Sequence, residues 1–487
     1  PASVTGRLDV RFVNDTGEPL GELYLRLYPN LRQYGAGGMT VWDVTVDGVP
    51  VAPEPPPLHS VPGATPAAAP DPGSGDLVLL RLPLVAAIPP GGAATVTMAF
   101  TTTVPLATSD GPGLLAVTPE TGTWALAHWF PILAGYDPSS GWELEPPSAW
   151  SDPVFATTAL FDVTLAAPRD LVLVTTGVLV ADSAQEEEQV RRFVSGPARD
   201  FTVVADDDFA SASTLVGDTV VTSYYNPEDA AGGSQVLEWA AQSLAVYTEL
   251  FGPYPYAALD LVAVPGVTGF EFPQLVFVGA GFYADPDGSG SRPGAIEFLV
   301  AHEVSHQWWY GLVGNNPHRH AFLDEGLAEY SAVLYVEAQH GARAATEQLD
   351  RGLTLRYATM LLTVGDQPVD QPTVGFPDSD AYYATVYRKA GLGFAALRGE
   401  IGDEAFFAGL QDYAAALRFG VATPDDLRAA FERAAGRDLG AFWRLWFEAA
   451  NGRVEIVMEP DAATPSPTTP DASPLAGPET ATPGALR

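Results

Sequence analysis

Five residues, His302-Glu303-Val304-Ser305-His306, restrict the fold of this chain more than any other stretch. Two imidazoles four positions apart can serve one point in space when the backbone between them is helical. There they sit one turn above each other, about 40° apart around the axis, on the same face. A third group must then arrive from elsewhere. Glu325, inside Leu323-Asp324-Glu325-Gly326-Leu327-Ala328-Glu329-Tyr330, opens the next expected helix, over 323–340.

Two neutral imidazoles and one carboxylate are the protein half of a catalytic zinc site, whose fourth position is left to water. His302, His306 and Glu325 are therefore the expected ligands of one zinc ion per chain, and cobalt or manganese would suit the same donors. Glu303 follows the first ligand, within reach of that water but badly placed to bind the metal, which makes it the natural general base. The chain has seven histidines, and four of them fall between 302 and 320. His318 and His320 flank Arg319 in the connecting loop and read as ordinary loop residues. Glu329, one turn after Glu325, can orient a ligand histidine or stand as a solvated carboxylate on the helix face.

The strings HEVSHQWW and FLDEGLAEY, the spacing from His306 to Glu325, and Gly269-Phe270-Glu271-Phe272 together resemble the aminopeptidase N-like zinc peptidases, over about 10–457. Thermolysin-type enzymes share the two-histidine pattern but place their Glu in a different local context. The resemblance implies a β-rich domain ahead of a thermolysin-like catalytic one. It implies that Glu271 holds a substrate's free α-ammonium, with Gly269 and Phe270 beside it in the substrate-binding strand. Phe270 stands where that family usually has Met, and Phe272 where it has Asn or Tyr, which alters the first substrate pocket. It further implies that Tyr387, in Val386-Tyr387-Arg388-Lys389-Ala390-Gly391, donates to the oxyanion of the tetrahedral intermediate. Ala390 interrupts the usual Lys-Gly, while Lys389 is the one lysine beside 23 arginines. Phe322 replaces the usual Trp before the ligand Glu, a change that should repack the site and keep it.

Family members carry a long helical C-terminal domain over the active site, whereas here little but a tail follows Trp446. A more open cleft, or one covered by another subunit, is the expectation. The primary reading is removal of N-terminal residues from peptides. Endopeptidase or oligopeptidase cleavage on the same site is one alternative, and a catalytically silent, zinc-stabilised binding protein is another. Glu303 and Tyr387 weigh against the silent form, because neither is needed to hold a metal.

Composition narrows the partners. With 60 acidic against 24 basic residues the net charge is -36, a surface that repels phosphate backbones and anionic lipid. Peptides with a free N-terminus are the expected partners, with no nucleic acid and no membrane span; oligomeric state stays open. Without cysteine there is neither a disulfide framework nor thiol catalysis. No apolar run reaches the length of a membrane span, since Arg81 and Pro83 interrupt LVLLRLPLVAAI. The chain begins Pro-Ala-Ser, so an initiator or targeting segment is read as already removed, and an extracellular or cell-envelope location is expected with the cytoplasm left open.

At 487 residues two or three domains are expected, in an α+β multidomain chain. Residues 1–208 read as an all-β saddle or sandwich: Leu23, Leu25 and Leu27 alternate with Tyr24, Arg26 and Tyr28, and Val96, Met98 and Phe100 with Thr95 and Thr97. A Pro/Gly-rich excursion at 52–76 is expected to be a surface loop. Residues 209–458 read as the mainly helical catalytic domain. Val236, Leu237, Ala240, Ala241, Leu244, Tyr247 and Leu250 form one stripe, two strands bracket Glu271, and Pro293 starts a helix that carries both histidines in its middle. Further helices are expected at 344–362, 383–401, 404–417 and 425–446, then a short strand RVEIVM. Residues 459–487, rich in Pro, Thr and Ala, cannot bury enough surface to order and read as a disordered tail.

Overall fold

The computed structural model describes residues 2–56, 78–107, 113–137, 140–145, 147–148, 150–288 and 294–450. Pro293, the RVEIVM strand, the tail at 459–487 and most of the Pro-rich excursion lie outside the described residues. The described chain belongs to one compact unit, Pro1–Gly452.

The N-terminal half is built from antiparallel strands. Ala2–Val13 pairs along its whole length with Ala93–Val104, and Gly38–Val46 pairs on the other side. Val96, Met98 and Phe100 point into the core as the alternation requires. A second sheet joins Leu79–Ile88, Leu20–Arg26 and Ile132–Leu133. Here the alternation of burial fails, because both faces of Leu20–Arg26 are covered. Leu23 and Leu25 fill one core, while Tyr24 packs against Trp142 on the other face and Arg26 donates to the carbonyls of Glu143 and Glu145 at 2.6 and 2.9 Å. An arginine can be buried there because its fork finds backbone acceptors. Two further sheets, 159–198 and 115–206, complete the β-rich half.

A five-stranded sheet then leads into the helices, in the spatial order Ala210–Val216, Thr219–Tyr225, Ala258–Val264, Leu275–Gly279, Gly269–Phe272. Its central strands are covered on both faces, so Leu261 to Val264 and Leu275 to Val278 form continuous buried apolar runs without alternation. Gly269–Phe272 is the edge strand, antiparallel to its neighbour, with Glu271 opposite Val276. Helix Ala230–Phe251 packs over this sheet through Val236, Leu237, Ala240, Leu244 and Tyr247, while Ala241 and Leu250 are only half-buried.

Three expected helices are more irregular than their periodicity implies. The helix expected at 344–362 is a rod of Ala342–Gln348 and Leu355–Thr363 joined by a π-helical turn, Leu349–Thr354. That at 383–401 begins with Ser379–Tyr382, widens into a π-turn over Tyr383–Lys389 and continues as Ala390–Ile401. That at 425–446 breaks after Pro424–Ala435, where Gly436 takes a left-handed conformation (φ 65°), and resumes at Gly440–Trp443. Asp403–Ala416 is a regular helix.

Candidate active site

Helix Ala295–Ser305 carries His302 in its last turn, and His306 is the first residue beyond it (φ -63°, ψ -13°). The expectation that both histidines sit mid-helix is corrected on this point. The helix tightens as it ends: Ser305 Oγ donates to the His302 carbonyl at 2.7 Å, and the Gln307 and Trp308 amides bond to Val304 and Ser305 at 3.1 and 2.9 Å. Trp308 and Trp309 follow, fully buried, and anchor the turn through Nε1 bonds to the Gly252 carbonyl and Ser331 Oγ.

The second element is helix Glu325–His340, which starts from a 3-10 turn at Ala321–Leu323. Asp324 caps it by accepting from the Glu325 amide at 2.6 Å and is itself held by Asn315 Nδ2 at 3.0 Å. Glu325 is thus fixed at the first position of a capped helix. Phe322, just before this turn's end, stacks on Phe447.

These two elements bring three donor atoms together. His302 Nε2 is 3.2 Å from both His306 Nε2 and Glu325 Oε2, and His306 Nε2 is 3.3 Å from the same oxygen. The far nitrogens settle the tautomers. His306 Nδ1 lies 3.0 Å from the Trp309 carbonyl, which can only accept, so Nδ1 carries the proton; His302 Nδ1 faces Glu329 Oε2 at 3.5 Å. With the proton on Nδ1 of both rings, the two Nε2 atoms would present lone pairs to each other and to a carboxylate oxygen, an arrangement that calls for a cation between them. Zinc bonds of about 2.0–2.1 Å to tetrahedral corners put neighbouring ligands about 3.3 Å apart, the spacing found here. The donors fit a tetrahedral divalent cation. As bare side chains they would compete for protons: burial disfavours charge on His302, but the hydrogen bonds it donates to Glu325 and Glu329 outweigh it and hold its pKa up to about 9. A cation at the shared point replaces those protons.

The triad opens into a cavity of about 680 Å³ lined by Gly269, Phe270, Glu271, Glu303, Tyr383 and Tyr387, among others. Glu303 is buried, and burial pushes its carboxyl up to about 7 against the pull of the two histidines. It lies flat against the edge strand: a Cβ on Gly269 would come within 2.2 Å of its Oε1, so only glycine admits the carboxylate. Glu271, on the same strand, faces the cavity, with donor oxygens of Glu271 and Glu303 and a His306 nitrogen all within 4.8 Å of one another. Burial pushes it too up to about 7, partly offset by His306. Tyr387 lies in the π-turn, its ring parallel to His302 at 5.8 Å and its hydroxyl donating to the second oxygen of Glu325. Burial and Glu325 raise its pKa well above the usual phenol value.

Of the residues weighed from sequence, His302, His306, Glu325, Glu303, Glu271, Gly269, Phe270 and Tyr387 meet around one cavity, and Glu329 stands behind His302. His318 and His320 do not join them: His318 Nε2 faces the Pro153 carbonyl at 3.2 Å and His320 pairs with Asp370 at 2.6 Å. Asp152 was missed. It reaches the cavity from the β-rich half, within 4.8 Å of oxygens of Glu271 and Glu325, and desolvation with the nearby Glu271 charge raises its pKa well above the carboxylate range. Its Ser-Asp-Pro setting reads as turn chemistry, and no local pattern separates it from other turns. Arg356, also on the cavity wall, had no signal either.

Comparison with known proteins agrees with this geometry. Residues 235–446 match the family described as the peptidase family M1 domain. Aminopeptidase M1-B of Oryza sativa subsp. japonica is 26% identical over 308 residues, which cover 61% of this chain and 35% of the relative. Aminopeptidase M1 of Arabidopsis thaliana is 24% identical over 311 residues, covering 61% and 34%. The chain thus spans about a third of the length of the curated relatives it matches. Among solved structures, an M1 zinc metallopeptidase from Deinococcus radiodurans aligns over 94% of this chain and 92% of its own, with a TM-score of 0.65 at 18% identity. A mutant of that metallopeptidase bound to a Tyr-Ser-Ala substrate aligns over 92% and 90%, with a TM-score of 0.61 at 17% identity. The two-part architecture, β-rich then helical, is the fold of these neighbours.

Proposed function

From the match of residues 235–446 to the peptidase family M1 domain, we propose that this protein is a zinc-dependent aminopeptidase of the aminopeptidase N type. His302, His306 and Glu325 would hold the ion. When bound, zinc supplies Lewis acidity, polarising the scissile carbonyl and making an adjacent water more acidic. Glu303 takes that water's proton as it attacks the carbonyl carbon, and returns a proton to the leaving amine nitrogen as the C–N bond breaks. The hydroxyl of Tyr387 donates to the oxyanion. Glu271 accepts hydrogen bonds from the substrate's α-ammonium and sets the first residue in place.

The observation that carries the reading is the closeness of Glu271 to Glu303 and His306, all within 4.8 Å. A carboxylate so near the base leaves room for one residue between the amine anchor and the bond that breaks. Peptides as substrates are also supported by the Tyr-Ser-Ala bound to the Deinococcus neighbour. Aminoacyl-anilides assayed beside their N-acetylated counterparts, with chelator and zinc add-back, test the reading. Chelator-sensitive cleavage of the free-amine substrates alone is expected. Equal cleavage of blocked substrates would make this an endopeptidase, and no cleavage by zinc-loaded protein would make it a binding protein.

A further inference from the structure

Charge is unevenly divided along the cavity. Asp152, Glu271 and Glu303 lie toward His306, the side where the aminopeptidase reading seats the ammonium. Beyond His302 the sign changes. Glu329 leans on His302 Nδ1 and takes the guanidinium of Arg388, which pairs with it closely. Glu329 and the helical rod at 342–363 both close on Gly391, where a Cβ would lie 2.9 Å from Leu353 Cδ2 and 3.3 Å from Glu329 Cγ. On that rod Gln348, Gly352 and Arg356, spaced by four, turn one face to the cavity.

Arg388 has its charge matched by Glu329. Arg356 is exposed, and among the described residues it has no carboxylate within ion-pair distance. In a chain of net charge -36, at a cavity faced by the carboxylates of Asp152, Glu271, Glu303, Glu325 and Glu329, an unmatched guanidinium is a local reversal. A peptide with its ammonium at Glu271 and its first carbonyl at the triad continues toward this wall. For a short peptide, the group that arrives there is the α-carboxylate, which a guanidinium with no carboxylate partner among the described residues can accept.

We infer that Arg356 receives the C-terminal carboxylate of short peptides, so that the cleft selects substrates by both ends. The inference rests on the aminopeptidase reading and adds a residue that sets substrate length. It is tested with zinc-loaded full chain on tripeptides and tetrapeptides, each as free acid and as C-terminal amide. The parent should prefer one of the acids over its amide by about fivefold in kcat/KM, the scale of a single partly exposed ion pair, and the preference should shrink with salt. Arg356→Gln should bring the acid-to-amide ratio to about one, and Arg356→Lys should keep most of it. The same difference should appear in Kd measured by calorimetry on a Glu303→Gln background, free of turnover. Equal cleavage of acid and amide by the parent, or a preference that survives Arg356→Gln, overturns the inference and leaves the aminopeptidase reading standing. Cleavage of neither form removes both.

Discussion

His128 and His302 are buried almost equally, 4% and 7% exposed, and each has a carboxylate oxygen within 3.3 Å of Nε2. Each also lies against a tyrosine ring, Tyr34 at 6.0 Å and Tyr387 at 5.8 Å. Their chemistry diverges all the same. His128 has both ring nitrogens engaged, Nδ1 with the Tyr34 hydroxyl at 2.5 Å and Nε2 toward Asp200, and Phe272 packs against its ring. Burial pushes the imidazole down to about 3 and Asp200 up to about 7, so below about pH 7 this pair is neutral. His302 is driven the other way, because its Nε2 meets a second imidazole and a carboxylate at a point open to a cavity. Residue type and burial are the same in the two regions. What distinguishes a site is that its lone pairs outnumber the protons available and aim at one place a ligand can reach.

That contrast can be broken by experiment. Glu303→Gln should lower kcat by about 10³-fold while bound zinc, measured by atomic absorption, stays at one per chain; near-parent turnover would show that the open cluster is no more catalytic than the closed one. Tyr387→Phe should lower kcat about 10²-fold with little change in KM, and a KM effect alone would recast the phenol as a packing group. Glu329→Gln should weaken zinc about tenfold in competition with a chelator, and an unchanged affinity would remove Glu329 as the orienter of His302.

The smallest effect on the zinc site tests the closed cluster. Asp200 has a folded pKa near 7 against about 3.9 when unfolded, so the folded chain binds the extra proton between these values. Stability should therefore fall as pH rises through that window. Asp200→Asn should gain about 4 kcal/mol over the parent at pH 8, and under about 1 kcal/mol at pH 4, in urea unfolding. Its zinc content should match the parent's. A loss of stability at pH 8 would mean that Asp200 carries a charge paired with His128.

Much of the centre was legible because it is local. His302, Glu303 and His306 share one turn, and Glu325 opens the next helix, so spacing alone proposes the donor set. The edge strand with Glu271 and the π-turn with Tyr387 needed the family resemblance, since single residues on separate elements leave no periodic trace. Asp152 and Arg356 were invisible, because what brings them to the cavity is the packing of the β-rich half and of the 342–363 rod. The irregular helices escaped for a related reason: one extra residue in a turn barely changes local propensity. Tyr24 and Arg26 misled because alternation reports one covered face, and their strand has two.

The single lysine of this chain gives it a native reporter. Lys389 stands two residues beyond Tyr387, buried, with its ammonium held by both oxygens of Asp366 at 3.0 and 3.1 Å and by the carbonyls of Gln367 and Ala449 at 2.7 and 2.9 Å. An amine-reactive acylating reagent can reach that nitrogen only when these contacts part. Acylation at Lys389, followed by mass spectrometry of one peptide, would therefore time the opening of the segment that carries the phenol, without any label being introduced.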